Sequence, residues 1–384
     1  MPRRGALAVL AGVPAALVAA CSPDQEPAPP PPPSTPTPTP TPTPKPKPKP
    51  KPKPTVKVSG VKGSLADFAK KVYLGGEIAT TKEAAALKKR KPVKKSVKVT
   101  ASRGDWHGTP VGLIARGKDR TFVVHDGKKW VVVAGWWPDL GIRNRHIGGR
   151  RFVAILGSDA REEDGEKVTG ARADTLQIAA VDGKGGGGIL GIPRDSWANG
   201  AKINSVLVSR GAGGQTKALA DLTGLPVSHY VITGFRGFRS FVKALGGVTV
   251  VSPANMPTRD IPKGKVHLND NKAMWFARER KSLPNGDFGR SANQQKLLVA
   301  FVLAMKAMGP KKFGSLVTVL SRATQTNLPA KDGLEFAAWA LSSPTSKVGR
   351  KVATGGFGMR SGQSVVLLGG SAQSLFGSFA DGDL

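Results

Sequence analysis

Apolar residues in this chain gather into short continuous runs, set between longer segments in which they recur at helical spacing. Phe152-Val-Ala-Ile-Leu156, Thr175-Leu-Gln-Ile-Ala-Ala-Val181 and Gly188-Ile-Leu-Gly-Ile192 have the length and branched-residue content of buried strands. His229 to Ile232 and Val248 to Val251 are shorter runs of the same kind. Helical spacing occupies Gln215 to Thr223, Phe235 to Leu245 and Asn269 to Phe276. Beyond Gly309 it returns at Phe313 to Arg322, Gly333 to Leu341 and Ala372 to Phe379, with a strand at Ser364 to Leu368. Strands alternating with helices predict an α/β fold, layered around a mixed central sheet.

Ahead of these runs the pattern is weaker. Gly63 to Lys91 has helical spacing and many lysines. Thr121-Phe-Val-Val and Lys129-Trp-Val-Val-Val-Ala, joined through Asp126-Gly127, predict a hairpin closed by Trp136-Trp137-Pro138. Residues 55–149 are expected to form a small accessory region, with no chemistry of their own.

One helix carries a sharper pattern. Asn285-Gly286 punctuates a loop, and the apolar run after it reaches Met308. With Asp287 as N-cap, Asp287, Arg290 and Gln294 fall at i, i+3 and i+7 on one side of the first turns. The stripe continues through Leu297, Leu298 and Phe301, which suits a ligand with a charged head and a greasy tail. An ordinary capped core helix has the same pattern. Just upstream, Arg278 and Arg280 flank Glu279, and in extended chain they would point the same way, as a clamp for phosphate oxygens.

Charge also collects at the ends of the three buried strands. Asp159 and Arg161 follow the first, Arg172 and Asp174 precede the second, and Arg194-Asp195 follows the third. Strand ends are where ligands bind in α/β sheets. Paired Asp and Arg there suggest a divalent ion together with an anionic ligand, the carboxylates holding magnesium and the arginines the phosphate. Structural ion pairs are the plainer alternative. Lys202-Ile203-Asn204 adds a cation and an amide. Gly185 to Gly188 lacks the Gly-Lys-Ser/Thr ending of a phosphate loop and reads as a turn. No Ser-His-Asp arrangement and no His-rich metal site is evident.

Composition narrows the partners. The 384 residues include 58 Lys+Arg against 26 Asp+Glu, a net charge of +32, so an anionic partner is expected. The single cysteine excludes a disulfide framework and a multi-cysteine zinc site. Arg3-Arg4 and the apolar Gly5 to Ala20 form a secretory signal, which makes nucleic acid an unsuitable target. Leu17-Val18-Ala19-Ala20-Cys21 resembles a bacterial lipobox, which implies that Cys21 is lipidated and becomes the mature N-terminus. Residues 22–54 are a Pro/Thr/Lys-rich linker, expected to stay unfolded and extended at about 3.1 Å per residue.

Seven ordered motifs then converge. Gly157-Ser158-Asp159-x-Arg161, Arg172-x-Asp174-Thr175, Ile192-Pro193-Arg194-Asp195, Lys202-Ile203-Asn204, Leu245-Gly246-Gly247-Val248, Arg278-x-Arg280 and Asp287-Phe288-Gly289-Arg290 with Gln294-Gln295 together resemble the LytR-CpsA-Psr family. The resemblance implies an α-β-α sandwich at residues 150–310 and says little about the tail; residues 311–384 are expected to pack on that domain as an extension. It implies an extracytoplasmic, membrane-anchored, magnesium-dependent phosphotransferase that moves a glycopolymer from a polyprenyl-pyrophosphate carrier to a peptidoglycan hydroxyl. By motif, Asp159 and Asp174 would hold Mg2+. Arg172, Arg194, Arg278, Arg280 and Arg290 would bind the pyrophosphate, with Gln294 hydrogen-bonded nearby and Arg161, Lys202 and Asn204 serving the substrate. Asp287 would orient Arg290 or the acceptor hydroxyl. Asn293 stands where the family commonly repeats an arginine. A pyrophosphatase using water at the same site, or a non-catalytic binding protein for the lipid-linked polymer, would share these features.

Overall fold

The computed structural model describes residues 29–31 and 52–384, so the signal, Cys21 and most of the linker lie outside the described residues. Residues 52–384 form one compact unit. Its first part contains β1 (Val56–Ser59), α1 (Ser64–Leu74), β2 (Ala79–Thr80), β3 (Val97–Trp106), β4 (Thr109–Arg116), β5 (Asp119–His125), β6 (Trp130–Trp137) and β7 (Ile142–His146). They make one sheet in the order β1-β3-β4-β5-β6-β2, with β7 on β6.

The hairpin expected around Asp126-Gly127 is the β5/β6 pair. The long helix expected over Gly63 to Lys91 is not formed. It stops at Leu74 because Gly75 turns left-handed at φ 84°, and Arg90 folds back so that its guanidinium donates to the carbonyls of Lys71, Val72, Gly76 and Leu87.

The body continues with β8 (Arg151–Ser158), β9 (Ala173–Val181), β10 (Gly187–Gly191), β11 (Trp197–Ala198), β12 (Ala201–Lys202), α2 (Val206–Thr223), β13 (His229–Thr233), α3 (Phe235–Ala244), β14 (Val248–Ser252) and β15 (Gly264–Leu268). It ends with α4 (Asp270–Arg278), α5 (Gly286–Met308), α6 (Pro310–Ala323), β16 (Gln325–Thr326), α7 (Ala330–Ser342), β17 (Gly349–Val352), β18 (Gly355–Arg360), β19 (Gln363–Leu368) and α8 (Gly370–Ser378). The central sheet runs β16-β13-β8-β9-β10-β17 and is mixed: β13 is parallel to β8 and β17 to β10, the other pairs antiparallel.

Strand alternation decides what covers each face. Phe152, Ala154 and Leu156 of β8 join a core with Leu207 and Leu219 of α2 and Phe376 of α8. Val153 and Ile155 point the other way, into a core shared with Phe313 of α6 and Leu334 and Trp339 of α7. The body is therefore an α-β-α sandwich. That second core also takes Trp106, Val111, Leu113 and Phe122, one face of the N-terminal sheet, whose opposite face packs on α1. No helix among the described residues is long and apolar enough to cross a membrane.

Candidate functional site

The antiparallel register of β8, β9 and β10 brings the end of β8, the start of β9 and the end of β10 to one edge of the sheet, since Ser158 faces Ala173 and Gly191 faces Gln177. Asp159, Asp174 and Arg194 therefore meet, although the chain separates them widely. Asp174 takes an ion pair from the Arg194 guanidinium and a second, at 3.8 Å, from Arg290. Arg290 also pairs with Asp287 one helical turn away, and the Asp287 carboxylate accepts the Arg194 backbone N–H at 3.2 Å. The Arg194 side chain approaches Asp195, which takes Lys202 Nζ at 3.2 Å. A chain of alternating charge thus runs Asp287–Arg290–Asp174–Arg194–Asp195–Lys202.

Burial and neighbours tune these groups. Burial, then repulsion from Asp174, pushes the Asp159 carboxyl above the usual carboxylate range, and its bond with the Arg172 backbone N–H opposes the shift. Burial and Asp195 likewise raise Asp287, against the pull of Arg290. Burial lowers Arg290, with Asp287 working the other way. For Arg194 burial is again the largest influence, but Asp174, Asp195 and Asp287 together outweigh it and hold the guanidinium above its ordinary value.

The head opens into an apolar tunnel. A cavity of about 380 Å³ begins at Asp174, Arg278, Arg290 and Gln294 and continues between the sheet face of Val153 and Ile155 and helices α3, α5, α6 and α7. Along α5 its lining passes from Arg290 and Gln294 to Leu297, Leu298, Phe301, Val302 and Met305. Phe301 packs its ring on Phe238 and Phe241 of α3 at 5.8 and 5.4 Å. Gln294 is fixed at the junction, its amide donating to the carbonyls of Asp174 and Ala277 at 3.2 Å each.

Two expectations about local geometry are corrected. Asp287 is not the N-cap: the cap falls two residues earlier, at Asn285, and α5 starts at Gly286, which frees the Asp287 carboxylate for Arg290 and Arg194. The i, i+3, i+7 alignment survives this shift. Arg278 and Arg280 are not i and i+2 of an extended clamp. With Asn269 capping it, α4 runs two residues past Phe276 and ends on Arg278, with Glu279 extended after it. The Arg278 guanidinium lies over the Phe235 ring at 4.6 Å at the tunnel mouth, while Arg280 is exposed and acts on the charge of Asp287 and Arg290.

The remaining expected residues differ in how closely they join the cluster. Arg172 exchanges hydrogen bonds with Asp159 at the rim, its backbone N–H donating to the carboxylate and its carbonyl accepting the Asp159 N–H. Asn204 is buried, its backbone N–H bonded to the Arg194 carbonyl. Arg161 is exposed on the loop after β8, and no hydrogen bond or ion pair among the described residues joins its side chain to the cluster. Asn293 is fully buried on α5, and its side-chain oxygen accepts Lys296 Nζ at 3.4 Å.

Sequence reasoning missed a polar brace beneath the head. The Gln177 side-chain amide donates to Ser291 Oγ at 2.9 Å and Gln294 Oε1 at 3.3 Å. Gln295 donates to Gln177 Oε1 and to the Ile189 and Lys351 carbonyls. A lone glutamine inside the apolar Thr175 to Val181 run was the available signal, because a buried amide requires partners.

Among the described residues no group of three or more His, Cys, Asp or Glu is arranged to hold a metal ion. Asp159 and Asp174, whose mutual repulsion raises Asp159, are nevertheless a suitable pair for a hard divalent cation. Magnesium is commonly held by one or two carboxylates plus substrate phosphates. The residues present fit an ion shared with an anionic ligand.

The sheet edge thus gathers paired Asp and Arg at the mouth of an apolar tunnel. The sequence model of the LytR_cpsA_psr (LytR-CpsA-Psr) family matches residues 143–372, and the chain belongs to that family. Among its relatives is the polyisoprenyl-teichoic acid–peptidoglycan teichoic acid transferase TagU of Bacillus mycoides (strain KBAB4), 27% identical over 186 residues, or 46% of this chain and 60% of that protein. The protein of the same name from Bacillus licheniformis is 30% identical over 190 residues, again 60% of its length. The chain thus spans about 60% of these relatives. The crystal structure of B. subtilis TagV shares the fold at a TM-score of 0.52 and 22% identity, covering 60% of this chain and 96% of that one.

Proposed function

We propose that this chain is an extracytoplasmic phosphotransferase that takes an anionic glycopolymer from a polyprenyl-pyrophosphate carrier and joins it to a peptidoglycan sugar by a phosphodiester. The observation that carries this reading is the continuity of the charged head with the apolar tunnel along one face of α5. A pyrophosphate linked to a long isoprenoid has that shape and polarity. The named activity of the TagU relatives supports it. The membrane anchor at Cys21 rests on the sequence of residues 1–21.

In this reaction the acceptor oxygen forms a bond to the polymer-linked phosphorus. The bond from that phosphorus to the bridging oxygen breaks, and polyprenyl phosphate leaves with the electron pair. Arg194, Arg278, Arg280 and Arg290 neutralise the charge that builds on the oxygens. Asp287 holds Arg290 in place, and its raised carboxyl suits it to accept the hydroxyl proton. Magnesium held by Asp159 and Asp174 would supply further charge neutralisation at the phosphates.

The test is transfer of a polyprenyl-pyrophosphate saccharide to peptidoglycan fragments by the full chain. Arg278→Ala and Arg280→Ala are each expected to lose about 100-fold in rate, with an unchanged melting temperature. Near-normal rates in both variants would contradict the assignment.

A further inference from the structure

Two aromatic rings stand beside the charged head, at the opposite end from the tunnel. Phe288 follows Asp287 on α5, and its ring centroid lies 5.8 Å from that of Phe357 on β18, the planes tilted by 52°. Phe357 is 72% exposed and Met359, on the same face of the strand, 62%. No other large apolar side chain among the described residues is as exposed as Phe357. Such exposure marks a contact surface.

The hairpin that carries them is held in place. Ser361 and Gly362 take φ of 48° and 72°, the left-handed pair of a two-residue hairpin turn. Val365 and Val366 are buried, and the Val366 N–H donates to the Asp195 carbonyl at 2.9 Å. That bond ties β19 to the segment bearing Arg194.

Direction along α5 identifies the occupant. Asp287, Arg290 and Gln294 lead to Leu297 and Phe301, so the lipid tail lies toward the helix C-terminus and the aromatic pair at its N-terminus. In-line displacement at phosphorus places the incoming hydroxyl opposite the departing polyprenyl phosphate. We propose that Phe357, flanked by Phe288 and Met359, is the acceptor platform, on which an uncharged sugar ring of a glycan strand stacks its C–H face while its hydroxyl faces the head. This proposal rests on the phosphotransfer reading above.

The experiment uses the full chain, a synthetic polyprenyl-pyrophosphate disaccharide as donor and a peptidoglycan glycan fragment as acceptor. Phe357→Ala is expected to raise KM for the fragment about fivefold, while KM for the donor moves less than about twofold and Phe357→Trp restores the wild-type value. Titration of the fragment alone separates the two readings. A wild type that binds the fragment without transferring to it, with binding weakened in Phe357→Ala, refutes the reaction and supports the platform. Unchanged fragment KM and binding in Phe357→Ala overturn the platform. Loss of binding to anionic lipid vesicles with unchanged fragment KM assigns the face to a membrane and overturns it as well.

Discussion

Arg290 is the residue on which the head depends. It is 4% exposed, lies between the carboxylates of Asp174 and Asp287, and its removal would leave Asp287 without an ion pair and Asp174 with Arg194 alone. Breaking such a buried arrangement costs about 3 to 5 kcal/mol. Arg290→Met is therefore expected to lose both transfer and several degrees of melting temperature, whereas the exposed Arg280 loses transfer alone; equal melting behaviour of the two variants in calorimetry would contradict this. Asp119, buried in the N-terminal sheet, gives a pH dependence instead. Burial chiefly, with Asp139 adding to it, raises its carboxyl to about 6 from 3.8, against its bond to the Asp139 N–H. A raised carboxyl stabilises the fold below its unfolded value and loses that contribution as pH climbs from 3.8 to about 6. Asp119→Asn should remove roughly 2 to 3 kcal/mol of pH-dependent stability across that window, visible as a flatter melting profile. The charged members of the cluster were legible because Asp and Arg side by side at the ends of apolar strands interrupt the burial pattern at the place where an α/β sheet opens to a ligand. The directions of Arg278 and Arg280 were not, because the last turn of α4 follows from a cap at Asn269 eight residues before it begins to matter.

At the scale of elements, α5 aligns chemistry with shape. Its N-terminal turns present Asp287, Arg290 and Gln294, and its middle turns line the tunnel. A bulky residue in that lining should shorten the tail that fits. Val302→Trp is expected to raise KM about tenfold for a long-chain polyprenyl donor and to leave a ten-carbon donor within about twofold; equal effects on both would place the tail elsewhere. The stripe was readable from its spacing alone, since i, i+3 and i+7 share a helix face whether the cap is Asp287 or Asn285. The tunnel's other walls were not, because Phe313, Leu334 and Trp339 belong to helices far along the chain. Strands β3 and β4 also escaped notice: Arg103 breaks the alternation of Val97, Val99 and Ala101, and the left-handed His107-Gly108 turn is less conspicuous than Asp126-Gly127.

At the scale of the whole molecule, the N-terminal sheet and the body are locked through α6. Beyond Thr100, β3 has no partner on the β1 side, and α6 covers that edge. Thr318 Oγ1 accepts the Asp105 N–H at 2.9 Å and Ser321 Oγ the His107 N–H at 2.8 Å. The approach needs two glycines: a Cβ on Gly104 would lie 2.2 Å from the Gly314 carbonyl oxygen. Gly104→Val should lower the melting temperature by roughly 3 to 8 °C in a single transition. Two separate transitions would show that the sheet and the body unfold independently. The layer order around the central sheet followed from strand and helix alternation. The docking surface did not, because it is written in the absence of side chains at two glycines more than two hundred residues apart.

Acceptor dependence is the most direct test of the central claim. Full-length protein is supplied with a polyprenyl-pyrophosphate saccharide, with and without peptidoglycan fragments and with and without magnesium, and polyprenyl phosphate release is followed. The phosphotransferase account predicts release only when the acceptor is present, stimulation by magnesium, and a glycopolymer–peptidoglycan phosphodiester as product. Release at the same rate without acceptor would make the site a pyrophosphatase, and tight donor binding with no release would make it a carrier.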